Sequence, residues 1–235
     1  MRTKALLCAA AVVAAGAVTS MAQNVYSLNV VGYVNVNVGL GYNVYANPLS
    51  NGQTNGANEI FSSLPNGTTI LTWNGSAYTA SYYDASLGIS PNNWYQADGV
   101  TPSVPPSLPP GLGFFMNPGS AFTATFVGNV VPAPGTTNNL AVPNGYQLVG
   151  SVLPVGGSVT NTSFNLPLNN GMTVLTWNGS AYTAYYYDAS LGISPNNWYL
   201  SDGVTPGPVP SINVGQGFFW NPAQTTTWSQ TLSAQ

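Results

Sequence analysis

Asp84, Asp98, Asp188 and Asp202 are four of only five acidic side chains in this sequence, and they come as two matched pairs. Between the members of each pair lies the same cluster, Asn92-Asn93-Trp94-Tyr95 in the first and Asn196-Asn197-Trp198-Tyr199 in the second. Three chemistries suit such residues. Two carboxylates could serve as the acid and base of glycoside hydrolysis. Carboxylate, hydroxyl and amide oxygens, including those of Ser86, could ligate a hard cation such as calcium, which takes about six to eight oxygens. Indole and phenol faces beside amides could stack on a sugar and bond its hydroxyls.

The first two chemistries are set aside. Nothing in the aspartate spacing demands an acid/base pair, and the fifth acid, Glu59, becomes Ser163 in the second copy. No catalytic residue is therefore assigned. Asp84-Ala85-Ser86 lacks the acidic density of a calcium loop, and short Asp and Asn side chains more often hold turns by bonding nearby amides. No metal ligand and no cofactor is implied. The sugar reading leaves Trp94, Tyr95, Asn92, Asn93 and Asp98, with Trp198, Tyr199, Asn196, Asn197 and Asp202, as candidate ligand-binding residues. Trp73, Tyr78, Tyr82 and Tyr83 and their counterparts extend the aromatic cluster. Its rival is plain core packing, since aromatics bury large areas in β-folds.

These residues belong to a duplication. Residues 71–102 recur as residues 175–206, an offset of 175 − 71 = 104, and differ only at Ser81/Tyr185, Gln96/Leu200 and Ala97/Ser201. The same offset pairs Gly41-Tyr42 with Gly145-Tyr146, and Gly113-Phe114-Phe115 with Gly217-Phe218-Phe219. A unit of roughly a hundred residues is a domain rather than a solenoid repeat of about 20–50.

Residues 1–22 read as a secretory signal peptide. Arg2 and Lys4 precede a short apolar run, and Ser20-Met21-Ala22 is a small-x-small cleavage site. The run is shorter than the roughly 20 residues of a membrane span, and Cys8 precedes most of it, which excludes the lipoprotein pattern. Beyond residue 22 there is no Lys, Arg, His or Cys. Nucleic-acid binding lacks its cations. Catalysis by His, Cys or Lys, zinc sites built from Cys and His, and disulfides are all excluded. An apolar core must hold the fold, and the expected location is secreted, with no membrane span.

The local patterns are β throughout. Residues 26–38 alternate, with a phase slip that predicts a bulge near Gly32. A second strand covers 42–47, and a short helix fits 57–64. Asn74-Gly75-Ser76 and Asn178-Gly179-Ser180 predict hairpins. Residues 84–111 show no period. Closing strands are expected at 113–117 and 121–131, then a Pro/Gly/Thr linker at 132–139. Residues 126–130 echo residues 30–34, which suggests strands exchanged between the repeats. The expectation is all-β: two tandem homologous domains, 23–134 and 135–235, each a β-sandwich or barrel-like.

The opening VYSLNVVGYVNV, with YNVYANPL, the Trp-Asn-Gly hairpin and the Gly-x-Gly-Phe-Phe-x-Asn-Pro run of residues 111–118, resembles a paralogous group of secreted verrucomicrobial proteins without established function. More distantly these motifs are similar to modules of large surface proteins in gliding bacteria. The resemblance implies export and an all-β fold, and brings no activity and no functional residue. Two readings of function stay open. The favoured one is a non-catalytic structural or adhesive component of the cell surface or extracellular space, acting through self-association or a surface polymer. The alternative is a carbohydrate-binding module whose loop aromatics contact a glycan.

Overall fold

A computed structural model describes residues 31–233. The expected signal peptide and residues 26–30 of the expected opening strand lie outside the described residues. The first half contains β1 (Val31–Val38), β2 (Asn43–Ala46), α1 (Ala57–Ile60), β3 (Thr68–Trp73), β4 (Tyr78–Tyr83), β5 (Trp94–Tyr95), β6 (Gly113–Asn117) and β7 (Phe122–Asn129). The second contains β8 (Thr137–Val142), β9 (Gln147–Val149), β10 (Gly157–Ser158), β11 (Met172–Trp177), β12 (Tyr182–Tyr187), β13 (Trp198–Tyr199), β14 (Ser211–Ile212), β15 (Phe218–Asn221) and β16 (Thr226–Thr231). The chain is nearly all β, in two similar halves.

Each half is an open two-layer sandwich, and among the described residues no sheet closes into a barrel. One layer is a five-stranded antiparallel sheet, ordered β2-β6-β3-β4-β5 in the first half and β9-β15-β11-β12-β13 in the second. The other is a two-stranded ribbon, β1-β7 or β8-β16. Ile70, Phe114 and Met116 of the first sheet meet Val38, Ala124 and Phe126 of its ribbon, with α1 closing the side through Ala57 and Ile60. Val174, Phe218 and Trp220 meet Val142 and Trp228 in the second half.

Successive residues of a strand face opposite ways, and the Phe-Phe doublets use both faces. Phe114 and Phe218 point into the cores of their own halves, while Phe115 and Phe219 point outward. They meet there in a third cluster with Val44, Leu148, Leu71, Leu175, Trp73 and Trp177. Each member of this cluster has its partner 104 positions away, so the halves meet about a pseudo-two-fold axis. Backbone bonds seal the seam symmetrically: Ala46 N–H donates to Gly215 O at 2.9 Å, and Gly150 N–H to Gly111 O at 3.1 Å.

The expected bulge near Gly32 is absent. The β1–β7 ladder runs unbroken from Val31↔Asn129 to Val38↔Phe122. Gly32 lies opposite Gly128, where the Ser50 carbonyl occupies the space a side chain would need. Gly128 serves that crossing, and Gly32 lies in regular strand where an added carbon would meet only the Leu49 and Val130 side chains at ordinary contact distance. Strands are also not exchanged between repeats. β1 pairs with β7 of its own half and β8 with β16, so the part of the echo that lies in described strands, residues 31–34 and 126–129, belongs to two neighbouring strands of one ribbon. The aperiodic stretch 84–111 contains one element that its pattern did not reveal, β5, which extends the sheet beside β4.

Candidate functional site

The predicted aromatic site is folded inward. Trp94, Tyr95, Trp198 and Tyr199 are each 0 % exposed. β5 and β13 run along the edges of their sheets and press the indoles against Tyr83 and Tyr187, with ring centroids 5.3 Å apart in both halves. The Tyr95 hydroxyl accepts the amides of Ile89 and Ser90, and Tyr199 repeats this with Ile193 and Ser194. Burial removes these four rings from any stacking platform at the loop surface.

The polar residues of the loop organise the loop itself. Asn92 Oδ1 accepts the Trp94 amide and the Ser90 hydroxyl, while its Nδ2 donates to Ser103 O. Asn196 makes the matching set with Trp198, Ser194 and Gly207. Asn93 and Asn197 take the left-handed conformation, with φ of 64° and 60°, which Asn tolerates better than most residues. Asp98 accepts Thr101 and Val100, and Asp202 accepts Thr205 and Val204. The Thr101 and Thr205 hydroxyls, foremost, hold these carboxyls below the usual range. The Ser86 and Ser190 hydroxyls do the same for Asp84 and Asp188. Among the described residues no three His, Cys, Asp or Glu side chains gather where they could hold a metal ion.

A second set of aromatics, partly exposed, gathers at the pseudo-two-fold axis. The Trp73 indole N–H donates to Tyr146 O at 2.8 Å, and the Trp177 indole N–H to Tyr42 O at 2.7 Å. Both bonds cross the seam. Trp73 stands edge-on to Phe219 at 5.6 Å, and Trp177 to Phe115 at 5.9 Å. Tyr78 and Tyr182 lie against the two tryptophans at 4.8 and 4.7 Å, and remain 43 % and 42 % exposed. Burial, and then the Tyr78 hydroxyl beside it, push the Tyr182 hydroxyl pKa well above its ordinary value. Tyr78, Tyr182, Tyr146, Trp73, Leu175 and Phe219 together line an open cleft of about 250 Å³.

Two further clefts flank the axis at equivalent places. One, of about 310 Å³, has Trp177, Val36, Asn43, Asn213 and Gln216 among its walls; the other, of about 270 Å³, has Trp73, Leu140, Gln147, Pro109 and Leu112. Sequence reading placed Trp73, Tyr78, Trp177 and Tyr182 in the aromatic cluster without separating them from the buried set. A signal existed: each Trp and Tyr pair brackets an Asn-Gly hairpin turn, which keeps both rings on one face at a sheet end. Tyr42 and Tyr146 were missed, because they reach this surface only through the packing of the two halves.

A third feature is backbone. β1 is hydrogen-bonded on one side only, to β7, and β8 only to β16. β7 gains a second backbone partner only at its last residue, where Ser50 and Asn129 exchange amide bonds of 2.9 and 2.7 Å, and β16 pairs only with β8. The outer edges of β1 and β8 are thus open among the described residues. Comparison with known protein families, with curated proteins and with solved structures returns no match.

Proposed function

We propose that this chain is an exported, non-catalytic structural or adhesive component that assembles with copies of itself through the open edges of β1 and β8. The observation that carries this reading is the character of those edges. A sheet edge offers unpaired N–H and C=O groups to any incoming strand, and natural proteins normally block it with Lys, Pro, a bulge or a covering element. VGYVNVNV and TNNLAV carry no charge and no proline. Val31 and Tyr33 are 69 % and 73 % exposed, and Tyr33 sits directly opposite the exposed Val127. The β1–β7 ribbon therefore presents an apolar patch at one end of an uncharged face, with Asn35, Asn37, Thr123 and Thr125 beyond it, and β8 exposes Thr137, Asn139 and Ala141.

With an open ribbon in each half, the molecule is at least bivalent. A pairing that joins one edge to the next copy without closing a ring extends into a chain of molecules. Export is supported by residues 1–22 as a signal peptide, and by resemblance of the opening motif to secreted verrucomicrobial proteins. The lack of catalysis is supported by a mature sequence without His, Cys, Lys or Arg. Sedimentation velocity of the chain from residue 23 tests the proposal. The mean mass should rise with concentration, and Tyr33→Lys with Thr137→Lys, which sets like charges on both edges, should hold the protein as a monomer. A wild-type protein that stays monomeric up to high concentration would end the reading.

A further inference from the structure

We infer that the aromatic surface at the pseudo-two-fold axis binds a neutral polysaccharide chain. Three observations bear on this, and none depends on the open strand edges.

The first is preorganisation. A stacking platform gains affinity when its rings are held in place before the ligand arrives. Trp73 and Trp177 are pinned by indole bonds to backbone carbonyls across the seam. Tyr78 and Tyr182 pack against them and, edge-on, against Phe115 and Phe219. The rings stay partly exposed although apolar partners surround them. An exposed patch of large aromatic side chains marks a contact site more often than scattered apolar residues do.

The second is charge. The cleft walls carry no charged side chain and are almost wholly apolar ring and aliphatic surface. In the two flanking clefts, the Gln147 amide lies beside the Asn74-Gly75 turn and Asn43 beside the Asn178-Gly179 turn. Aromatic faces with neutral hydrogen-bonding groups suit a ligand with apolar C–H faces and hydroxyl edges, which describes an uncharged sugar. An acidic saccharide, a phosphate or a nucleic acid finds no cation here.

The third is shape and number. The cleft is open, and its roughly 250 Å³ falls below the range of about 300–1,000 Å³ in which proteins enclose compact ligands. A lipid tail would remain half in water. A chain lying across the axis instead meets two equivalent sets of rings, Trp73 with Tyr78 and Trp177 with Tyr182. Contacts repeated along one strand of sugars then add through effective concentration.

Tryptophan quenching provides the test. Of six tryptophans, Trp94, Trp198, Trp220 and Trp228 are at most 1 % exposed, so acrylamide reaches chiefly Trp73 and Trp177. The probes are neutral hexose and N-acetylhexosamine oligosaccharides of increasing length, applied to the intact chain from residue 23. Longer neutral chains should shield the fluorescence from acrylamide and bind more tightly than disaccharides, independently of salt. Tyr78→Ala with Tyr182→Ala should weaken binding about tenfold or more, and Tyr78→Phe with Tyr182→Phe should keep most of it. Tyr33→Lys with Thr137→Lys should leave it intact, which separates this inference from self-association through β1 and β8. No shielding by any neutral oligosaccharide would overturn the inference in the wild-type protein alone, even if the alanine variant fails to fold. Binding that survives the alanine pair would overturn it too, as would shielding that follows protein concentration alone and so marks a contact between copies.

Discussion

Trp94 and Trp198 occupy equivalent positions with unequal partners. The Trp94 indole N–H donates to Asn58 Oδ1 at 2.6 Å, whereas the Trp198 indole N–H is buried without a partner. The counterpart of Asn58 is Thr162. Leaving a buried donor unsatisfied costs about 1–3 kcal/mol, so the two sites should answer differently to removal of that donor. Trp94→Phe loses a bond and Trp198→Phe loses only an orphan, so denaturant unfolding should find Trp94→Phe the more destabilising. Replacing either with Ala empties a buried site and should cost about 3–5 kcal/mol. The aromatic residues themselves were legible in the sequence, but their burial was not. A two-residue strand carries no period, and the Asn, Ser and Asp around it give the composition of an exposed loop. Those polar side chains instead turn inward onto the loop's own amides, which lets the rings be sealed.

At the scale of elements, the Gly-x-Gly-Phe-Phe run makes the seam. Gly111 and Gly215 hold φ of 93° and 76°, a region only glycine enters without strain. A Cβ on Gly113 would stand 2.8 Å from Val149 O, and one on Gly217 2.7 Å from Tyr45 O, in each case backbone of the opposite half. Gly113→Ala or Gly217→Ala must push the halves apart, and each should destabilise by about 1–3 kcal/mol. Gly39→Ala, with nothing within 4 Å of the added carbon, should be close to neutral in the same unfolding series. The longer strands of the first half and both Asn-Gly hairpins followed from alternation and turn residues. The helix, however, ends at Ile60 rather than 64, β8 begins at Thr137 inside the expected linker, and the two-residue strands left no period. The burial of the outer sheet face did not follow either, because alternation describes one strand and not what packs upon it. The runs Phe114-Phe115-Met116 and Phe218-Phe219-Trp220 did carry a sign of it, since unbroken apolar strands are those covered on both faces.

At the scale of the molecule, the near-identity of residues 71–102 and 175–206 has a physical reading. A two-fold contact is self-complementary, and Trp73 packs on Phe219 as Trp177 packs on Phe115. A change in one copy of the hairpin must fit the unchanged copy it faces. The same block supplies β5 and β13 to the two cores, so substitutions are constrained at both ends. Composition also sets the response to pH. Glu59, Asp84, Asp98, Asp188 and Asp202 all have lowered pKa values, against unfolded values of 4.5 and 3.8. Their contribution is present above those values and is lost as pH falls through the lower, folded ones. Tyr45, Tyr82, Tyr182 and Tyr186 are raised above 10.0. Their contribution is present below 10.0 and is lost as pH rises through the folded values. With no His, Lys or Cys beyond residue 22, the composition lacks the side-chain types whose ordinary pKa lies in between. The melting temperature of the chain from residue 23 should therefore stay flat from about pH 5 to about pH 9 and fall on either side. A step near pH 6–7 would be inconsistent with this composition.

Assembly through β1 and β8 is the central claim, and amide hydrogen exchange measured at low and high protein concentration tests it most directly, because exchange reports which backbone groups gain partners. Peptides covering residues 31–38 and 137–142 should become protected as concentration rises, while those covering β5 and β13, already buried, should not change. Protection that appears instead around Trp73, Tyr78, Trp177 and Tyr182, or no concentration dependence in β1 and β8, would contradict the claim.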